Sequence, residues 1–355
     1  RRGGWWQAAM AEAKAIRDGV GLIDATAFTK HLVKGPGAAP FLDWFTCNKL
    51  PKIGRINLTY ALTSAGTTRT EYTIVRLADD AFYLVSAGAW TDYDGDYLRK
   101  SAADKALEFG YIEVQDGTMQ WGVFAIAGPK SRDVLKAVVK DVDPETALSN
   151  KRFPWLSTRQ IELGMCPVNA IRVAYTGELG WELHHPIEMQ NYLFDLLEAA
   201  GAAHGMKLVG ARAQNWLRLE KSYRAFGNEL GRDATPLEAD LPRFVDLTKA
   251  FNGKVAMQAL GIRSKCVTMF IDGPDDADPW GREAVYTLEG ERVGRLTSGG
   301  YSVAFERAIG LGYVRPELAV PGTKLQVKIL DQLWPAEVTE DSPYDPSNKV
   351  IRIDG

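Results

Sequence analysis

Apolar residues recur at three- to four-residue spacing over residues 5–20, WWQAAMAEAKAIRDGV, where Trp6, Ala9, Met10, Ala13 and Ile16 share one stripe and predict an amphipathic helix. The period then shortens. Segments RINLTYALTSAG, TEYTIVRLADD and AFYLVSAGAW, between residues 54 and 90, alternate as antiparallel strands do. Helical spacing returns over 93–109, 187–204 and 209–224. The final ninety residues change character: KCVTMFIDG, GREAVYTLEGERVGRLTSGG, RAIGLGYV, GTKLQVKIL and LWPAEVTE are short strand patterns separated by Gly, Pro and Asp. Six or so such strands without helices predict a small closed β-barrel. The expected class is α+β with an all-β tail.

Two phrases repeat. VKGPGAAPFLD at 33–43 and IAGPKSRDVLK at 126–136 each place a β-run before Gly-Pro and a helix after it, which predicts a duplicated strand–turn–helix unit. Residues 171–186, IRVAYTGELGWELHHP, read as a hairpin, with IRVAY and WELHHP joined at a Thr-Gly turn. Two glutamates and a tyrosine inside such a hairpin have two readings, a solvated face or a pair of strands holding Tyr175 and Glu182 against a polar ligand.

Length and composition narrow the function. A chain of 355 residues, 46% hydrophobic and 25% charged, fits a globular protein of two or three domains. Its 42 basic and 45 acidic residues give a net charge of −3, without a long single-sign run, which argues against a phosphate-neutralising nucleic-acid binder. No apolar run approaches a membrane span and no signal-peptide pattern opens the chain. The three cysteines, Cys47, Cys166 and Cys266, are far apart and odd in number, which points away from a disulfide framework or zinc site and toward a reducing compartment. The opening RRGGWW, without a methionine, reads as part of something longer or as a processed chain.

Among chemical signatures there is no dinucleotide fingerprint, phosphate loop or nucleophile elbow. His184-His185 is the one histidine cluster, unaccompanied by ligands at metal spacing, so no metal is expected. The carboxylates carry more. Glu71 shares a strand face with Thr73 and Val75, Glu182 alternates with Trp181 and Leu183, and Glu178 lies in the turn. Arg212, Arg218, Glu220 and Lys221 lie on one helix, where such charges are often solvated.

The phrases YTGELGWELHHP, GARAQNWLRLEKSYRAFGNEL, TPLEADL, LTKAFNGKVAM, GRLTSGGYS, IGLGYV and SPYDPSNKVIRI, preceded by RDGVGLIDATAFTKHLVKGPGA and GPKSRDVL, occur in the order seen in one superfamily. From about residue 5 to 353 the chain resembles the glycine-cleavage aminomethyltransferase (T-protein) superfamily. The phrasing is most similar to the folate-binding C-terminal half of sarcosine and dimethylglycine dehydrogenases. The resemblance implies a three-domain cloverleaf around a central channel that admits tetrahydrofolate. Residues 1–265 would form the folate-binding region, with a second interleaved domain at roughly 52–140, and 266–355 the barrel.

The resemblance also implies roles. Tyr175 and Glu182 match the family's pterin-binding tyrosine and glutamate, since a carboxylate can accept two adjacent pterin N–H donors. Leu183 and His184 would lie beside the ligand, and Arg212 would border it. Glu71 falls where relatives carry the active-site aspartate, and so would handle a proton during one-carbon transfer. Arg243 and Lys349 stand where some relatives place an aromatic residue. The implied function is transfer of a methylene-level carbon from an N-methylated amine, of sarcosine or dimethylglycine type, to tetrahydrofolate, giving methylenetetrahydrofolate. FAD would come only from another domain or a partner chain. The alternatives are a free-standing aminomethyltransferase of a glycine-cleavage-like system and a non-catalytic folate-binding accessory protein. Expected partners are a folate, an imine or formaldehyde derived from the N-methylated amine and, in a flavoenzyme, an FAD-binding domain or subunit, with no nucleic acid or membrane; the location is expected to be cytoplasmic, or the mitochondrial matrix in a eukaryote.

Overall fold

The computed structural model describes residues 2–353. The opening apolar stripe becomes the helix Gly4–Asp18. Its Ala13 and Ile16 pack on Ile23 and Ala127 of the first of two sheets, with Val209 and with Leu217 of the helix Ala211–Glu220 beside them. That sheet has six strands in the order Lys207–Leu208, Gly21–Asp24, Trp121–Ala127, Gly180–Pro186, Cys166–Ile171 and Thr158–Leu163. The edge pair Lys207–Leu208 and Gly21–Asp24 is parallel and the other neighbours are antiparallel. Helices Ser131–Lys136 and Gln190–Ala202 cover one face, enclosing Phe124, Trp181, Leu183, Leu193 and Leu197.

The second sheet has five strands, Ile56–Leu62, Thr68–Ala78, Ala81–Ser86, Thr29–Lys34 and Glu113–Asp116. Helices Ala38–Phe45 and Thr91–Phe109 back it, closing a core of Phe41, Phe45, Tyr72, Ile74, Phe82 and Leu98. The repeated Gly-Pro phrase supplies one strand–turn–helix to each sheet. Thr29–Lys34 passes through Gly35 into Ala38–Phe45, and Trp121–Ala127 through Gly128 into Ser131–Lys136. Both glycines have positive φ, 111° and 122°, where a side chain would be strained. At Gly128 a Cβ would also lie 2.4 Å from the Gly19 carbonyl oxygen.

The opposite faces of the two sheets meet in part, beside the area of the first sheet on which the first helix packs. Ile56 and Val75 of the second sheet cluster with Ile171 of the first, with Tyr83 and Val173 around them. Because side chains alternate along a strand, Glu71 and Thr73 share this inward face with Val75, while Tyr72 and Ile74 sit in the helix-backed core. On the first sheet Glu182 pairs directly with Ile171, so Glu182 and His184 point inward and Trp181 and Leu183 point into the helix-backed core.

The barrel is closed, with six strands from Lys265–Ile271 to Gln332–Thr339 around Val267, Met269, Val285, Leu296, Val327 and Val338. It ends earlier than the expected 266–355. Residues 340–353 run back to the first sheet, where the Arg132 guanidinium donates to the Ile353 carbonyl (2.9 Å) and the Asn150 amide to that of Arg352 (2.7 Å). Lys221 ties this return segment through the Asp345 carbonyl (2.7 Å) and Asn348 Oδ1 (2.9 Å).

The expected tight hairpin is opened out. Residues 172–179 form a loop between Cys166–Ile171 and Gly180–Pro186, so Tyr175 is off the strands. Gly177 in this loop has φ of 80°, and a Cβ there would lie 2.3 Å from Lys221 Cγ. Glu178 is buried rather than solvated, accepting hydrogen bonds from Arg17 and from the Tyr344 hydroxyl (2.7 Å). Among the described residues no helix is long and apolar enough to cross a membrane.

Candidate active site

Glu71 sits mid-strand on the inward face of the second sheet, directly across from Tyr60. It keeps some accessible area although it is deeply buried, and the space that it faces between the two sheets is called the chamber here. Burial raises its pKa from 4.5 to about 8, and the charge of Glu229 adds to the effect, while Tyr60 and Arg218 oppose it. Glu71 is therefore mostly protonated at neutral pH. The Tyr60 hydroxyl is buried and completes no hydrogen bond of normal geometry within the described residues.

Arg218 and Glu229 form the charged floor beneath Glu71. The Arg218 guanidinium donates to Glu229 Oε2 (2.9 Å), to the Tyr223 carbonyl (2.9 Å) and to Asn215 Oδ1 (2.8 and 3.0 Å). Glu229 also accepts from Thr297 Oγ1 (2.7 Å), Ser298 Oγ (2.5 Å) and the Ala225 amide (2.9 Å), joining the barrel to the two sheets. Burial works against its charge, but Arg218 and the two hydroxyls hold it below the usual carboxylate range. Tyr175 completes this side: its hydroxyl donates to the Arg224 carbonyl (2.9 Å) and its ring stacks on Tyr223 at 5.9 Å.

On the first sheet the Glu182 side chain is 15% accessible. Its Oε2 lies 3.3 Å from His184 Nε2, and His184 Nδ1 lies 3.0 Å from the Tyr83 hydroxyl of the second sheet. Burial, then the Glu182 charge, raises the Tyr83 pKa above the usual phenol range.

The structure thus brings Glu71 and Tyr175 together and sets Glu182 and His184 on the facing sheet. It separates two other expected residues from them. Leu183 is fully buried in the helix-backed core, because strand alternation turns it away from Glu182. Arg212, expected to border a ligand, stacks instead on two exposed tryptophans, Trp280 at 4.0 Å and Trp5 at 5.3 Å. The arginine that reaches the chamber from this helix is Arg218. Arg243 is half exposed at the rim, 4.0 Å from Asp341, and its charge is felt at Tyr60 and Tyr223. Lys349 is exposed on the return segment.

Sequence reasoning also missed Tyr60, Tyr83, Tyr223, Arg218 and Glu229. Only the helix held a usable signal: Ala213, Trp216, Leu217 and Glu220 follow the i, i+3, i+4, i+7 stripe, which marks Glu220 as buried.

The chamber offers the buried Tyr60 phenol beside Glu71, a neutral carboxyl at Glu71 itself, and the Glu182 side chain with one hydrogen-bond partner, His184, among the described residues. These groups fit a flat heteroaromatic ring that presents adjacent N–H donors to Glu182. Among the described residues no three His, Cys, Asp or Glu side chains are grouped to hold a metal. A groove of about 430 Å³ lined by Glu12, Asp24, Phe124, Phe194 and Leu208 is a separate feature and contains none of the chamber residues.

Residues 1–249 match the model of the GCVT N-terminal domain, and residues 265–345 that of the glycine cleavage T-protein C-terminal barrel domain. The chain is 34% identical over 363 residues to dimethylglycine dehydrogenase of Mus musculus, covering 100% of this chain and 40% of that protein. It is 31% identical over 334 residues to an aminomethyltransferase of Chlorobaculum tepidum, covering 93% of this chain and 88% of the relative. The crystal structure of aminomethyltransferase T from Bartonella henselae superposes with a TM-score of 0.83 at 24% identity, covering 95% of this chain and 90% of the other, a likeness of fold.

Proposed function

Since the chain belongs to the glycine cleavage T-protein family, we propose that its chamber binds tetrahydrofolate and transfers to it a methylene-level carbon from an N-methylated amine. The observation that carries this reading is the pairing of an acceptor, Glu182, with a proton-holding carboxyl, Glu71, on the facing inner surfaces of two sheets. Glu182 binds and orients the pterin head through its N–H donors, with Tyr175 and Tyr223 as flat surfaces beside it. Tetrahydrofolate supplies the nucleophilic nitrogens that take up the carbon. Glu71, poised near neutrality, accepts or returns the proton that such an attack releases. The half-exposed Arg243 at the rim offers a cation for the carboxylates of the folate tail.

The chain spans about two fifths of the dimethylglycine dehydrogenases it matches. We assign amine oxidation to an FAD-binding domain or subunit outside residues 1–355. The reaction is assigned to the cytoplasm or the mitochondrial matrix, and three buried free thiols agree with a reducing compartment. A second reading, aminomethyl transfer within a glycine-cleavage-like system, is favoured by the match along 88% of the Chlorobaculum tepidum aminomethyltransferase. Conversion of formaldehyde and tetrahydrofolate to methylenetetrahydrofolate, followed by coupled absorbance, tests the transfer. The rate should exceed the uncatalysed one and fall to background in Glu71→Gln. A wild-type rate equal to background would reject a catalytic role.

A further inference from the structure

Glu182 is supported from behind by two residues of different sheets. His184 shares its inward face and is fully buried, with Nε2 3.3 Å from Glu182 Oε2. Its other nitrogen, Nδ1, lies 3.0 Å from the hydroxyl of Tyr83 on the strand Ala81–Ser86, and the two rings meet edge-on at 5.4 Å. The proton positions follow from donor and acceptor inventory. With an ionised carboxylate, which only accepts, facing a neutral imidazole, the arrangement calls for the ring proton on Nε2. Nδ1 is then a lone pair, and the Tyr83 hydroxyl has to donate to it.

We propose that Tyr83 and His184 are positioning residues: they hold Glu182 in the one orientation its ligand needs, and so make ligand affinity depend on the contact between the two sheets. This deepens the folate reading and rests on it. The physical reason is preorganisation. A glutamate side chain has three rotatable bonds, and immobilising such a side chain on binding costs free energy that a pre-formed hydrogen bond removes in advance. Oε2 keeps a second lone pair and Oε1 has no hydrogen-bond partner among the described residues, so the bond from His184 leaves the fork open to two ligand donors. Neither Tyr83 nor His184 needs to touch the ligand.

Two measurements test this. The first uses the free protein: nitrogen-15 NMR of His184 should show the Nε2-protonated tautomer, and Tyr83→Phe should shift it toward a mixture. An Nδ1-protonated ring, or no change in Tyr83→Phe, overturns the proposal. The second is calorimetric titration with tetrahydrofolate. Tyr83→Phe and His184→Leu should each weaken binding by about tenfold, the size of one charge-assisted hydrogen bond. His184→Gln, whose amide can reach Glu182, should recover most of the loss. In turnover KM should rise more than kcat falls, and Tyr83→Phe should add nothing on a Glu182→Ala background. If both variants bind as the wild type does while Glu182→Ala fails, the positioning proposal is wrong and the folate reading survives. If the wild-type chain binds no tetrahydrofolate, both fall.

Discussion

Replacing Glu71 by Gln removes an ionisable group from the chamber while keeping its size, and the consequence for stability can be worked out. The carboxyl titrates near 4.5 when solvated and at about 8 in the folded chain, chiefly because burial penalises its charged form. Between those values the folded chain keeps a proton that the unfolded chain has released. The contribution of Glu71 to stability is therefore most favourable below 4.5, declines as pH rises through this window, and carries the full penalty above about 8. Each pKa unit is worth about 1.4 kcal/mol, which bounds the penalty near 5 kcal/mol; because Glu71 keeps some accessible area, solvent screening reduces it to about 2–4 kcal/mol. Glu71→Gln should thus match the wild type at pH 4 and be more stable by that amount at pH 9. For a chain of this length the difference in Tm should be about 3–5 °C. Thermal unfolding of both proteins over this pH range is the assay. Parallel pH dependences would refute the reasoning, because Glu71 would then titrate as a solvated carboxylate.

Other outcomes follow from the geometry. Gly177→Ala forces a Cβ to within 2.3 Å of Lys221 Cγ at a φ of 80°; it should cost about 2 kcal/mol and expose the return segment to trypsin at Lys349 and Arg352. Arg212→Ala removes only the stacking on Trp5 and Trp280, so the tetrahydrofolate dissociation constant from calorimetry should stay unchanged. Arg218→Met leaves Glu229 buried without its cation and should destabilise the chain by about 3–5 kcal/mol in denaturant unfolding.

The sequence made the elements legible where periodicity was strong. The first helix, the alternating strands of residues 54–90, the Gly-Pro strand–turn–helix units and the six barrel strands all follow from spacing and turn residues. The site was legible only in part, and the reasons are physical. Alternation identifies which residues share a face, so it put Glu71 with Val75; it does not say that a second sheet covers that face, which turns a solvated carboxylate into a buried acid. Taking Leu183 as a ligand neighbour ignored the same alternation, which sends it into the opposite core. Arg212 and Arg218 look alike along one helix, and only the docking of the barrel decides which is enclosed. Tyr83 and His184 are 101 residues apart and meet through sheet packing alone.

The most direct test of the central claim, that Glu182 grips the ring of a reduced folate inside the chamber, is calorimetric titration of the wild type and Glu182→Ala with tetrahydrofolate. Loss of a charged acceptor facing two donors should cost about 2–4 kcal/mol, a weakening of about thirty- to a thousandfold. Equal affinities in the two proteins would contradict it.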